Sequence, residues 1–185
     1  MPAPVISREE VIERLTRAFR ESGYQSASLA RLSEATGLGK ASLYHYFPGG
    51  KEQMAETVLD HVNDWLKDNV LLPLAGAGTP MERLNRMILE LNDFYQKGRC
   101  SCLLDLLAIG DAAVVFGKSI KASIQAWESA IAGVLVDAGL DEAESRLRAE
   151  DALIAIQGAL VVARAKNSTD PFTRTLSALP ARLLS

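Results

Sequence analysis

Across 185 residues the chain holds only two cysteines and two histidines. Cys100 and Cys102 stand one residue apart, too close for an ordinary disulfide staple and too few to build a zinc site unaided. Long hydrophobic runs are missing too: the longest uncharged apolar stretch, from Ala152 to Ala163, is too short to span a bilayer. The opening MPAPVISREE has no basic region followed by an apolar run, so a cytoplasmic protein with no membrane partner is expected. No HExxH, GxSxG or phosphate-loop signature appears. His61 lies beside Asp60 and near Asp64, but adjacent residues on a helix do not share a face. No catalytic residue, metal or cofactor is therefore expected, and the enzyme reading is set aside.

Strand-period segments, repeats and low-complexity runs are likewise absent, and what remains is helical. A hydrophobic share of 48% is ample for a core. Ser7 with Glu10 forms a capping box, and Val11, Ile12, Leu15, Ala18 and Phe19 follow at helical spacing until Gly23. From Lys51 to about Asn69, the residues Met54, Ala55, Val58, Leu59, Val62, Trp65 and Leu66 make a long apolar stripe, ended by Pro73 and Gly76-Ala77-Gly78. Thr79-Pro80-Met81-Glu82 restarts a helix whose buried face is expected to hold Met81, Leu84, Met87, Ile88, Leu91, Phe94 and Tyr95. A short helix over 102–109 and a long one with Phe116, Ile120, Ile124, Trp127, Ile131 and Leu135 inward come next. Asp141 opens a helix rich in Ala and Gly, and Asp170-Pro171 caps the last, where Pro180 is placed to kink it.

The stretch SLARLSEATGLGKASLYHYFPGGK, from Ser28 to Lys51, reads as a helix-turn-helix. Leu29, Leu32 and Ala35 give the first helix an apolar face, Ser28 can accept a first-turn N–H, and Gly37 supplies the φ > 0 that a tight corner requires. Leu43 anchors the second helix, with Tyr46 and Phe47 as core wedges. That leaves Lys40, Ala41, Ser42, Tyr44 and His45 on the other sides. The first turn of such a helix enters the major groove, where Lys and Ser reach base-edge acceptors; Tyr44, His45 and Lys51 are better placed for phosphate, and Ser28 and Ala41 complete the expected DNA-binding set. The charge agrees. Residues through Lys51 carry seven Lys or Arg against five acids, whereas the whole chain is −3, so a mildly basic head precedes an acidic body.

At these residues, LARLSEATGLGKASLYHYF followed by a Pro/Gly turn and KEQMAETVL, the chain resembles the TetR/AcrR family of bacterial transcriptional regulators, over roughly residues 7 to 60. Ser33 stands where the family prefers Ala. The second Gly of the turn is similar to the branch that includes the LmrA and QacR multidrug-responsive repressors. The expected fold is all-α with about nine helices: a three-helix DNA-binding domain over 1–50, then a helical effector-binding and dimerisation domain over 51–185.

The resemblance implies a cytoplasmic, homodimeric, small-molecule-responsive repressor that binds double-stranded operator DNA. It also implies a cavity in the body for an apolar or aromatic effector. Candidates to line it are Phe94, Tyr95, Cys102, Phe116, Trp127 and Gln157; Tyr95, Trp127 and Gln157 each bring a polar group to an apolar face, where it needs a partner or a ligand. A two-fold dimer through the last two helices is expected, because the small-residue surface of 143–166 lets another helix come close. Two alternatives stay open. Cys100 and Cys102, in the cationic setting of Lys97 and Arg99, admit a redox-responsive regulator; a DNA-tethered interaction protein would have no effector at all.

Overall fold

The computed structural model describes residues 6–185; the first five residues, which belong to the expected 1–50 domain and to the opening stretch read above, lie outside the described residues. The described residues form helices only: α1 (Arg8–Ser26), α2 (Leu29–Thr36), α3 (Lys40–Tyr46), α4 (Gly50–Leu66), α5 (Leu72–Ala75), α6 (Pro80–Phe94), α7 (Leu103–Leu107), α8 (Asp111–Asp137), α9 (Glu142–Ala165) and α10 (Asp170–Leu184). A π turn, Lys67–Leu71, joins α4 to α5 without a break, so Gly50 to Ala75 is one helical run and the count is nine among the described residues.

By backbone packing the chain divides into two units. One comprises Met1–Asn63 and Leu103–Gly117; the other comprises Asp64–Cys102 and Lys118–Ser185. This line differs from the expected division at 50/51, because α7 packs on α1, and Tyr24 meets Phe116 edge to face with ring centroids 5.7 Å apart. Gln25 adds a hydrogen bond to the Asp111 carboxylate at 3.2 Å. Both α4 and α8 contribute residues to each unit.

In the first unit Val11, Leu15 and Phe19 of α1 bury against α2, while Gly23, at φ 71° and ψ 166°, breaks the helical backbone as expected. Seven residues are too few for a helix to hold itself, so α3 depends on its anchors. Leu43 and Phe47 are fully buried there, each contributing about 2 kcal/mol by removal from water, whereas Tyr46 is only half-buried. Two positions on α2 differ from expectation. Ala35 is exposed and Thr36 is buried in its place, because the Thr36 hydroxyl donates to Leu32 O at 2.7 Å and needs no water.

In the second unit α10 packs on α9 and α6. Thr79 and Glu82 form the expected capping box. Met81, expected inside, is 40% exposed; a buried position two residues on belongs to Arg83, which donates to Leu74 O at 3.0 Å and pairs with Asp137 at 2.9 Å. The long helix also runs past Asn69 to Ala75. Pro73 does not stop it, since it stands in the first turn of α5, where a missing N–H costs little. At α10 the N-cap is Thr169 rather than Asp170, and the Ser168 hydroxyl accepts the Asp170 N–H. Phe172, Leu176, Leu179 and Leu183 are buried as their spacing predicts, and the helix continues through Pro180 to Leu184.

Candidate nucleic-acid interface and effector residues

The corner between α2 and α3 is fixed by hydrogen bonds from both sides. Ser28 Oγ accepts the Arg31 N–H at 3.3 Å and caps α2. At the other end Arg14 Nη1 donates to Thr36 O at 2.8 Å, satisfying a carbonyl that the helix leaves free, and Glu10 holds the same guanidinium at 2.5 Å. Gly37 turns left-handed, at φ 72°. Ser33, the residue at odds with the family pattern, donates to Leu38 O at 2.6 Å and so ties α2 to the turn.

With Leu43 turned inward, Lys40, Ala41, Ser42, Tyr44 and His45 are all exposed on α3, and Gly39 puts no side chain over its first turn. This is a surface of one ammonium, one hydroxyl, one phenol and one imidazole flanking a small alanine. Such a set donates to base-edge and phosphate acceptors and lets the backbone come close. Gln53, unremarked in the sequence, accepts the Gly49 N–H at 2.8 Å and holds the turn that leads into α4.

Lys51 is less free than its position suggests. It is half-buried, its ammonium donates to Tyr24 O at 3.1 Å, and it lies 4.4 Å from the centre of the Tyr24 ring. Burial, then the carboxylates of Glu52 and Asp111, hold the Tyr24 hydroxyl above its ordinary value of 10.0. Tyr24 carries no sequence signal, standing just after the Gly23 break; only its aromatic type, close to Phe19 in the chain, hints at packing.

Four of the six effector candidates adjoin, with the Phe94 ring meeting Tyr95 edge to face at 5.1 Å between centroids. Tyr95 Oη donates to Cys102 Sγ at 3.3 Å, and Gln157 Nε2 donates to the same sulfur at 3.4 Å, so three of them meet around one thiol. Phe94 stacks on Trp65, with centroids 3.7 Å apart and planes 13° from parallel. Phe116 belongs to the first unit, where it packs on Tyr24, while the group around the thiol belongs to the second. Trp127 is 1% exposed, and its Nε1–H has no acceptor among the described residues. An unpaired buried donor costs about 1–3 kcal/mol, which makes this indole a standing invitation to an acceptor. Cys100 and Cys102 are both free, and the described residues hold no group of His, Cys, Asp and Glu suited to a metal. No described helix is long and apolar enough to cross a membrane.

Residues 11–58 match the profile of the bacterial regulatory proteins of the tetR family, and residues 80–177 match that of the C-terminal domain of LmrA/YxaF-like transcriptional regulators. The chain is 25% identical to the HTH-type transcriptional regulator LmrA of Bacillus subtilis over 184 residues, covering 94% of this chain and 95% of that protein. It is 45% identical to the HTH-type transcriptional repressor AcnR of Corynebacterium efficiens, over 51 residues that make 28% of this chain and 27% of AcnR. Among solved structures, a TetR transcriptional regulator from Legionella pneumophila superposes with a TM-score of 0.82 at 17% identity, covering 97% of this chain and 99% of that one. A cysteine mutant of CifR, a TetR family transcriptional regulator complexed with 26-base-pair operator DNA, superposes with a TM-score of 0.76 at 20% identity, covering 97% of this chain and 98% of that one.

Proposed function

The chain belongs to the TetR family of DNA-binding transcriptional regulators, in its LmrA/YxaF-like branch, and from that premise we propose that it is a repressor released from its operator by a small apolar or aromatic effector. The observation that carries the DNA half is the exposed donor face of α3, held by a fully buried Leu43. In this reading residues 1–50 are the DNA-binding domain, with Ser42 and Lys40 at base edges and Ser28, Tyr44, His45 and Lys51 near phosphate, while 51–185 bind effector and partner.

One short recognition helix reads one half-site, so two copies must bind together. The dimer surface we assign is α9 with α10. Leu147, Ile154 and Val161, seven residues apart, are 56, 62 and 50% exposed, and Gly158 between them is open. Such a row of exposed apolar side chains supports burial against a second copy.

The effector half rests on Trp127. An apolar ligand bearing one acceptor would satisfy its N–H, and Tyr95, Cys102 and Gln157 offer further polar contacts in the same unit. The α4 helix, whose residues belong to both units, is the covalent route by which a change in the body reaches the head. A coupling of about 1–3 kcal/mol between effector and operator would suffice, and operator must weaken effector binding by the same factor.

The test is to select binding sites from fragmented genomic DNA, then measure operator affinity with and without compounds that raise the melting temperature. Ser42→Ala should lower discrimination at one base pair by about 1–3 kcal/mol. Failure of the wild-type protein to enrich any sequence would defeat the operator reading. A full-strength effector response in Trp127→Phe would remove the indole from the effector site.

A further inference from the structure

A polar cleft of about 600 Å³ opens where the end of α9, the start of α10 and the loop after α6 converge. None of the residues assigned to the effector lines it. Its walls carry Gly98, Arg99, Arg164, Asn167, Ser168 and Thr169. On a chain of net charge −3, two arginines and no acid line one cleft; the groove between α8 and α9, by contrast, is lined by Glu128, Asp137, Glu142 and Glu150 against Arg146 alone.

The two arginines are held differently. Arg164 is fixed: its Nε donates to Leu160 O at 3.4 Å and its Nη1 bonds the buried Ser101 hydroxyl, leaving Nη2 without a protein acceptor among the described residues. Arg99 is exposed, and its guanidinium has no hydrogen bond or ion pair among the described residues. The loop that carries it cannot drift, because Gly98, at φ +89°, is packed so closely that a Cβ there would lie 2.6 Å from Phe172 Cβ. A fixed and a free arginine lining one cleft can clamp a planar or tetrahedral oxyanion, and Thr169, whose hydroxyl caps nothing, can add a donor.

The neighbouring charges favour the same sign. Lys97 and Lys166 flank the lining segments, Asp170 is the one adjacent acid, and the α9 C-terminus adds a partial negative charge of about one half. The α10 N-terminus contributes little, since the Asp170 N–H is taken by Ser168 and Pro171 has none. We propose that this cleft is a binding site for a small organic oxyanion, a phosphate monoester or a dicarboxylate, which bridges the end of α9 to the start of α10.

The experiment titrates the full chain calorimetrically with inorganic phosphate and, separately, with succinate, at ionic strength held constant with sodium chloride. Saturable binding of one or both probes is expected, and which of them binds identifies the oxyanion class. Arg99→Gln, a change at an exposed and unpartnered residue that should leave the melting curve intact, should weaken that binding about tenfold or more. Arg164→Gln should do the same. No saturable heat from either probe up to about 10 mM would overturn the proposal, as would binding to Arg99→Gln as tight as to the unaltered chain. Operator affinity does not enter the readout, so the result stands apart from the regulatory reading.

Discussion

Replacing Lys51 by Met separates two duties of one ammonium, the brace on Tyr24 and the proposed phosphate contact. Met preserves most of the apolar stem, so packing is little disturbed and the loss is that of the charge. The hydrogen bond to Tyr24 O, 3.1 Å long, is charge-assisted and of a kind worth about 1.5–3 kcal/mol; the Tyr24 ring, 4.4 Å away, adds about 0.5–1 kcal/mol. Because the side chain is only half-buried, solvent screening brings the expected total toward the low end, about 2 kcal/mol. For a chain of this length that lowers the melting temperature by about 4–8 °C. An ammonium has three protons and Tyr24 uses one, so a phosphate contact remains open to the others. Loss of that contact should reduce the slope of log affinity against log salt by about 0.9. Differential scanning calorimetry reads the first effect and operator titration at several salt concentrations the second. An unchanged melting temperature would refute the Tyr24 brace, and an unchanged slope would refute the phosphate contact.

Gly98→Ala should be among the costliest single changes: a Cβ 2.6 Å from Phe172 Cβ at a left-handed backbone position should cost about 3 kcal/mol or more, seen as a melting temperature lower by about 6–12 °C. The Glu82 carboxyl, held below its ordinary value chiefly by the Thr79 N–H, binds a proton less readily folded than unfolded. Its stabilisation is therefore present above the ordinary carboxylate range and is lost as pH falls through the lowered value; in Glu82→Gln that acid-side loss should shrink in melts taken from neutral pH downward. Ile154→Arg, at a side chain 62% exposed, should leave the protomer's fold within about 0.5 kcal/mol while converting dimers to monomers in sedimentation. A dimer that persists would move the interface off α9.

Much of this molecule is readable in one dimension because its helix ends carry chemistry. Ser28, Thr79 and Asp141 cap where their spacing predicts and Gly37 turns left-handed where the corner needs it, while Ser7 accepts the Glu10 N–H but Glu10 pairs with Arg14 instead of completing the expected box. The donor face of α3 follows once Leu43 is taken as the anchor, since a seven-residue helix has only one side to bury. What eluded the sequence depends on partners distant along the chain. Arg83 reads as a surface cation until Leu74 O and Asp137 are seen to receive it. Tyr24 reads as linker until Lys51 and Phe116 arrive from 27 and 92 positions away. Of the six effector candidates Phe94, Tyr95, Cys102 and Gln157 adjoin while Phe116 belongs to the other unit, because helical spacing reports which residues turn inward and not which inward residues meet.

The π turn between α4 and α5 carries a consequence for the length of that helix. Leu66, Val70 and Leu74 are buried at steps of four, and four residues of ideal α-helix advance about 400°, overshooting a full turn by about 40° at each step. The wider turn at Lys67–Leu71, where Leu72 N–H reaches back five residues to Lys67 O, takes up that excess and keeps the three side chains in one line. It is in effect a spare residue coiled into the rod. Deleting Asn69 would let the segment relax to ordinary α geometry with both flanking stretches still helical, so the chain can be shortened there by one residue at less cost than elsewhere in the run. Slack of this kind lets insertions and deletions be absorbed inside a helix rather than in its loops.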